Sequence, residues 1–208
     1  MYRKAQRHFK KVDPVLHAAS RAFHIEDLRP SDDVFRDLVW TIIGQQLSGK
    51  AADTIFARFR KLVRGPLTPR KVLALREEDI RASGISGAKM RAIRSVARAV
   101  VDRELDVARF SSMSDDEVRA ALVQIHGIGP WTAEMILMFS LARADVFSRG
   151  DLGLRKGIMR VYGLITFPDE KMLERITAPW SPYRTYAARV LWKVADQAAA
   201  RIGRKKPV

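Results

Sequence analysis

Apolar residues recur three and four apart through most of this chain, and that helical period constrains its fold more than any other feature. From Asp33 to Val63 they fall at Val34, Leu38, Ile42, Ile55, Phe59 and Leu62, which lines them up on one face of a helix. No segment alternates with period two for long, so strands are not expected. The predicted fold is all-α. Of 208 residues, 47% are hydrophobic, enough core for one compact domain over residues 1–208, divided into two helical lobes around a cleft.

Start and stop signals place the elements. Ser31, Asp32 and Asp33 supply a cap and an acidic first turn, and the Gly44 to Gly49 stretch breaks that long periodic segment into two helices. Thr68-Pro69 opens another helix, with proline at the first helical position. Ser83-Gly84-Ile85-Ser86-Gly87 is a turn, and Lys89 to Val101 is amphipathic again. Ser114 and Glu117 have capping-box spacing, predicting a helix from about Asp115 to Gln124. His126-Gly127-Ile128-Gly129-Pro130 interrupts it, and a second helix should run from Pro130 to about Ala142. Asp145-Val146-Phe147 reads as a short extended piece, followed by Arg149-Gly150-Asp151 and a helix to Tyr162. A last helix is expected from about Pro182 to Arg201, and a loose basic tail over about 203–208. No fixed-period repeat occurs, although the turns around Gly84 and Gly127 look loosely related.

Charge narrows the partners. Thirty-eight Lys and Arg face 23 Asp and Glu, a formal net charge of +15. Such a field attracts polyanions, of which nucleic acid is the commonest; an acidic membrane surface would answer the same field, and surface ion pairing would use the same residues. Cysteine is absent, which excludes disulfides, thiolate zinc sites, cysteine nucleophiles and cysteine-held iron–sulfur clusters. His8, His17, His24 and His126 are scattered and form no metal-ligand pattern. The start, Met1 to His8, is basic without an apolar stretch behind it, so it is no secretory signal, and the apolar runs are too short for a bilayer. The expectation is an intracellular, cytoplasmic or nucleoid protein without membrane contact.

The segment Leu122 to Pro130 holds two glycines two apart between helices. Without Cβ atoms they let the chain turn tightly and approach a ligand closely. The amides opening the second helix have no intrahelical acceptor and sit at the positive end of the dipole, where an anion such as phosphate fits. Pro130 gives up one donor, while Gly129, Trp131 and Thr132 keep theirs, and Ile128 should anchor the turn in the core. An ordinary tight connection would also use Gly-x-Gly; the basic charge tips the reading to phosphate. The segment closely resembles the helix–hairpin–helix motif of sequence-independent DNA-binding proteins. That resemblance further implies a monovalent cation, Na+ or K+, on the backbone carbonyls of Val123, Ile125 and Ile128 when DNA is bound.

Roughly twenty residues beyond the hairpin stands Asp151, in Val146-Phe147-Ser148-Arg149-Gly150-Asp151-Leu152-Gly153. Taken alone it is an aspartate at a helix start, hence a cap. A hairpin, a Gly/Pro-rich loop and then an aspartate resemble the HhH-GPD superfamily of DNA glycosylases. Gly44-Gln45-Gln46-Leu47-Ser48, Trp131-Thr132-Ala133, Gly150 to Lys156, Pro179 to Arg184 and Leu191-Trp192 resemble its 3-methyladenine DNA glycosylase II branch. The likeness covers nearly the whole chain, with the helix–hairpin–helix at about 115–142 and the catalytic loop at 145–153.

What the resemblance implies is specific. Two helical lobes would enclose an active-site cleft, and Asp151 would be the catalytic carboxylate. An anionic carboxylate stabilises the oxocarbenium character of a breaking N-glycosidic bond and can orient the attacking water. Asp145 precedes the loop and looks structural. Relatives that also nick the backbone carry a lysine where this chain has Trp131, so base removal without strand cleavage is expected; Lys156 looks structural or phosphate-contacting. Trp131, Trp192, Trp40 and Tyr183 are candidates for the base pocket, since aromatic faces attract cationic alkylated purines, although rings at helical spacing also serve as plain core packing. Met135 stands where some relatives have an aromatic ring, which puts the base preference in doubt. Gln45, Gln46 and Leu47 lie where the superfamily carries the wedge that fills the gap left by a flipped base, Gln46 foremost; helix-end capping is the alternative. Gly127, Gly129, Thr132, Ser48 and Lys50 complete the DNA-binding candidates. No cofactor is required, the partner is double-stranded DNA with damaged bases, and a monomer is the default. The alternatives are a glycosylase for mismatched or oxidised bases and a non-catalytic DNA-binding module. Some members of the branch carry a β-rich domain ahead of the helical core; this chain reads as a compact version without it.

Overall fold

The computed structural model describes residues 1–203, with side chains through Gln197; past Gly203, the tail expected to be loose lies outside them. No strand occurs among the described residues. The chain forms two compact units, one of residues 29–142, the other of residues 1–28 together with the chain from 143 onward.

In the continuous unit, α3 (Val34–Gly44) starts where Asp33 accepts from the Arg36 amide at 2.9 Å. The long periodic stretch does break, and α4 (Gly49–Lys61) begins with Ser48 as its cap. The short helices α5 (Pro69–Ala74) and α6 (Glu77–Ala82) lead to α7 (Gly87–Val101). After a 3-10 segment, Val107–Ser112, comes α8 (Asp115–Val123), with both halves of the Ser114/Glu117 capping box formed. Leu38, Val39 and Ile42 of α3, Ile93 and Val96 of α7, and Val118 and Leu122 of α8 are fully buried. Each such side chain contributes roughly 1.5–3 kcal/mol of burial, so this packing fixes the helix ends that matter below.

The helix expected from Pro130 to Ala142 is shorter and of two kinds. The α-helical part, α9, covers Pro130–Met135, and Ile136–Ser140 is a π turn closed by the Leu141 amide on the Ile136 carbonyl at 2.9 Å. Ile136, Leu137 and Met138 are consecutive and all fully buried. A stretch surrounded by protein has no polar face, so its periodicity carries no mark of where the helix widens.

The discontinuous unit joins α1 (Tyr2–Val12) and α2 (Pro14–Ser20) to α10 (Leu152–Tyr162), α11 (Glu170–Thr177) and α12 (Arg184–Gly203). Its core holds Phe9, Leu16, Leu154, Ile158, Trp180 and Leu191. Asp13 knots it together: one carboxylate oxygen caps α2 through the Leu16 amide at 2.9 Å, and the other accepts from the Trp180 indole at 2.8 Å and from the Tyr162 hydroxyl. At Gly157 α10 crosses α12 so closely that a Cβ would lie 2.6 Å from the Leu191 carbonyl oxygen. The expected extended piece at Asp145–Phe147 forms no strand: Ala144 and Asp145 turn, and the Val146 amide donates to the Thr185 hydroxyl at 3.0 Å. No helix among the described residues is long and apolar enough to cross a membrane.

Candidate functional site

The hairpin is built by two turn bonds, Ile125 amide to Leu122 carbonyl at 3.1 Å and Ile128 amide to Ile125 carbonyl at 3.0 Å. Gly127 has φ +83°, and a Cβ there would fall 2.4 Å from the Ala92 Cβ of α7. Both conformation and space demand glycine. Ile128 is buried, 5% exposed, and so holds the turn in the core as expected. Gly129 caps α9 and has no side chain to offer its amides, and Pro130 at the first helical position contributes no N–H. Open space surrounds the Gly129 Cα where a Cβ would project. The geometry leaves the start of α9 uncapped by any side chain, which suits an oxygen of an incoming anion.

A second loop is tied to this hairpin. The Gln45 amide nitrogen donates to the Gly127 carbonyl at 3.2 Å and to the Thr132 hydroxyl at 3.0 Å. Lys89 of α7 donates to the Ile43 and Gln45 carbonyls, each at 2.8 Å, and satisfies the end of α3. Burial pushes the Lys89 ammonium below the usual lysine range. Between these anchors Gln46 adopts φ +59°, a left-handed conformation uncommon outside glycine. Gln46, Leu47, Ser48 and Lys50 are exposed. The wedge candidates thus separate: Gln45 is engaged with the hairpin, and Gln46 and Leu47 project from the loop. Ser48 caps α4 through the Ala51 amide at 3.4 Å. Thr132 is buried, 1% exposed, with its hydroxyl engaged by Gln45.

In the other unit Asp151 caps α10, with Oδ1 accepting from the Leu154 amide at 2.8 Å. The same oxygen accepts from the Trp192 indole of α12 at 3.0 Å. The two sequence readings of Asp151, cap and functional carboxylate, are therefore compatible. The carboxylate is partly exposed and held by two donors. Gly153 makes room: a Cβ there would lie 3.0 Å from both Asp151 Oδ1 and the Trp192 ring. The crossing at Gly157 brings α12 near enough for Trp192 to reach. Asp145, by contrast, is fully committed. Burial pushes its carboxyl up, but bonds from the Arg184 side chain at 2.8 and 2.9 Å, from Ser181 at 2.8 Å and from the Arg184 amide outweigh this and hold it below the usual carboxylate range.

With this geometry in hand, the chain's relatives are informative. The family model described as HhH-GPD superfamily base excision DNA repair protein matches residues 39–182. The chain belongs to the HhH-GPD superfamily. DNA-3-methyladenine glycosylase 1 of Schizosaccharomyces pombe is 34% identical over 167 residues, covering 79% of this chain and 73% of that protein. The solved structure of the 3-methyladenine DNA glycosylase of S. pombe in complex with abasic DNA superposes with a TM-score of 0.85 at 31% identity, over 91% of this chain and 95% of the other. A DNA-3-methyladenine glycosidase from Bacillus halodurans gives a TM-score of 0.77 at 36% identity, over 93% and 89%.

The aromatic candidates of this HhH-GPD chain fall in different settings. Trp131 is partly exposed on α9, and Met135, one turn on, is 6% exposed. Trp40 on α3 is 38% exposed and its indole donates to Asp53 of α4 at 2.9 Å. Tyr183 meets His8 edge-on, ring centroids 5.5 Å apart. Trp192, expected as a pocket wall, also donates to the carboxylate. Lys156 is exposed. Sequence reading missed Lys89, Gly153 and Gly157; a lysine and two glycines inside helical patterns carry no signal of the partners they meet.

Proposed function

We propose that this HhH-GPD protein is a DNA glycosylase that hydrolyses the N-glycosidic bond of alkylated bases of the 3-methyladenine and 7-methylguanine type in double-stranded DNA, opening base excision repair. The relatives named DNA-3-methyladenine glycosylase and the likeness to the one solved with abasic DNA support the substrate class. The observation that carries the chemistry is the Asp151 carboxylate, held by the Leu154 amide and the Trp192 indole. Two donors on one oxygen fix its orientation. As the base departs, that charge stabilises the oxocarbenium-like sugar, and the carboxylate takes the proton of the water that attacks C1′. An alkylated purine is already cationic and leaves without strong general-acid help.

Trp131 occupies the place where relatives that nick the strand carry a nucleophilic lysine, and an indole forms no Schiff base. The product is an intact strand with an abasic site. Trp192, which bonds to Asp151, is the base-pocket candidate of its own unit, with Tyr183 the lesser one; Trp131 and Met135, with Trp40 the lesser, are the candidates that the unit of residues 29–142 offers. The α9 amides hold a phosphate, and Gln46 or Leu47 fills the gap left by the flipped base. A monovalent cation fits the donor chemistry of the hairpin, since the Val123, Ile125 and Ile128 carbonyls are hard neutral oxygens, although that of Ile125 already accepts one bond from the Ile128 amide.

A panel of duplexes bearing 3-methyladenine, 7-methylguanine, 8-oxoguanine or a mismatch tests the reading. Release of the two methylated bases is expected, with strand breaks only after alkaline treatment. Preferential release of 8-oxoguanine or a mismatched base, or strand breaks without alkali, would overturn it.

A further inference from the structure

The residues ahead of the hairpin line a cavity of about 520 Å³ against α7. Its basic wall is Arg91, Arg94 and Arg98 of α7, spaced three and four apart on one helix face, joined by Gln124 and His126 from the hairpin side and a single carboxylate, Glu104. None of the three arginines forms an ion pair with a carboxylate among the described residues. Like charges at these spacings repel and cost helix stability. Arg94 is oriented by its bond to the Leu75 carbonyl at 2.6 Å, yet its Nε is buried with no hydrogen-bond partner among the described residues. An unmet buried donor costs about 1–3 kcal/mol. Arg91, Arg98 and His126 are exposed, and His126 adjoins Gly127 in the chain.

We propose that this cavity is a second phosphate site, which takes a backbone phosphate of the duplex flanking the nucleotide held at the hairpin. The wall chemistry is that of a phosphate oxyanion: planar guanidinium forks, an imidazole and an amide. Continuity with the hairpin makes DNA the source, because His126 and Ile125 line the cavity and lead directly into Gly127 of the hairpin. The site adds affinity without base reading, and it takes no part in the chemistry at Asp151. This inference rests on the glycosylase reading.

The test is binding of undamaged duplex over a range of NaCl, with single-turnover excision at saturating protein as a second readout. Arg91 and Arg98 are exposed, so the double variant Arg91→Gln, Arg98→Gln should keep the melting temperature. It should bind roughly tenfold more weakly, with a salt slope shallower by about 1, one phosphate being worth about 0.9. The excision rate at saturation should stay within about twofold. Glu104→Gln should act in the opposite sense and bind about twofold to threefold more tightly, as expected for removing one screened like charge near the phosphate. Wild-type affinity and slope in the double variant, while the wild type binds and excises normally, would overturn the second site and leave the glycosylase reading standing. Loss of affinity only for inorganic phosphate, with DNA binding intact, would show a free-anion site and overturn the DNA assignment. A wild-type protein that binds no duplex would overturn both readings.

Discussion

The unit of residues 29–142 contains two helix–turn–helix segments that start alike and end differently. In the first, α6 leads through Gly84, at φ +99°, into α7; in the second, α8 leads through Gly127, at φ +83°, into α9. Both turns need a residue tolerant of positive φ. The helix that follows is where they part. Ser86 closes the start of α7 with its hydroxyl on the Lys89 amide at 3.3 Å, whereas Gly129 leaves the start of α9 with no side-chain cap. The first segment caps its own helix start, with Lys89 reaching out to the end of α3. The second leaves its first amides to the phosphate proposed for them, so on that proposal it is the residue at the cap, rather than the tight glycine turn, that separates a phosphate site from a plain connection.

Substitutions at four positions test that contrast. The largest effect is expected from Gly127→Ala, which meets both the backbone penalty and the 2.4 Å overlap with Ala92; a loss of roughly 2–4 kcal/mol in denaturant unfolding is expected. Gly84→Ala has the same kind of φ penalty, but its Cβ would make only ordinary contacts, with the Ile55 side chain at 3.5 Å and the Arg58 guanidinium at 4.0 Å. It should lose about 1–2 kcal/mol and leave DNA affinity per folded molecule unchanged. If the two alanines cost the same, the close approach to Ala92 plays no part. Ser86→Ala removes a cap and should cost about 1 kcal/mol, again without an effect on binding. Gly129→Ser gives the second segment the cap of the first, in open space and at an extended φ of −102°. Stability should rise by a few tenths of a kcal/mol, while DNA affinity falls threefold to tenfold, the worth of about one hydrogen bond. Unchanged affinity in Gly129→Ser would break the contrast.

The sequence made the capped starts legible because capping is local. Asp33, Thr68, Ser114 and Asp151 each accept from an amide three residues on, within reach of a pattern read along the chain; Ser86 does the same for α7, although its segment reads only as a turn. Gly127 and Gly129 were equally plain. What stayed hidden was made by packing between distant segments. Gln45 bonds to Gly127 and Thr132, so one of three wedge candidates is occupied by a contact that no spacing announces. Trp192 lies 41 positions from Asp151, and its bond depends on α10 and α12 crossing at Gly157. The amphipathic helix Tyr2–Val12 buries Tyr2, Ala5 and Phe9; its apolar stripe is narrow and set among many Lys and Arg residues, so the segment reads in sequence as basic rather than as core.

Asp151 carries the chemical claim, and Asp151→Asn isolates it. Asparagine caps helices as well as aspartate does, and its carbonyl oxygen can still accept from the Leu154 amide and the Trp192 indole. Only the charge is lost. Single-turnover release of 7-methylguanine from duplex DNA should fall by at least about 100-fold, the scale of removing one transition-state electrostatic contact, with the melting temperature and duplex affinity close to wild type. Release by the variant at the wild-type rate would contradict the account.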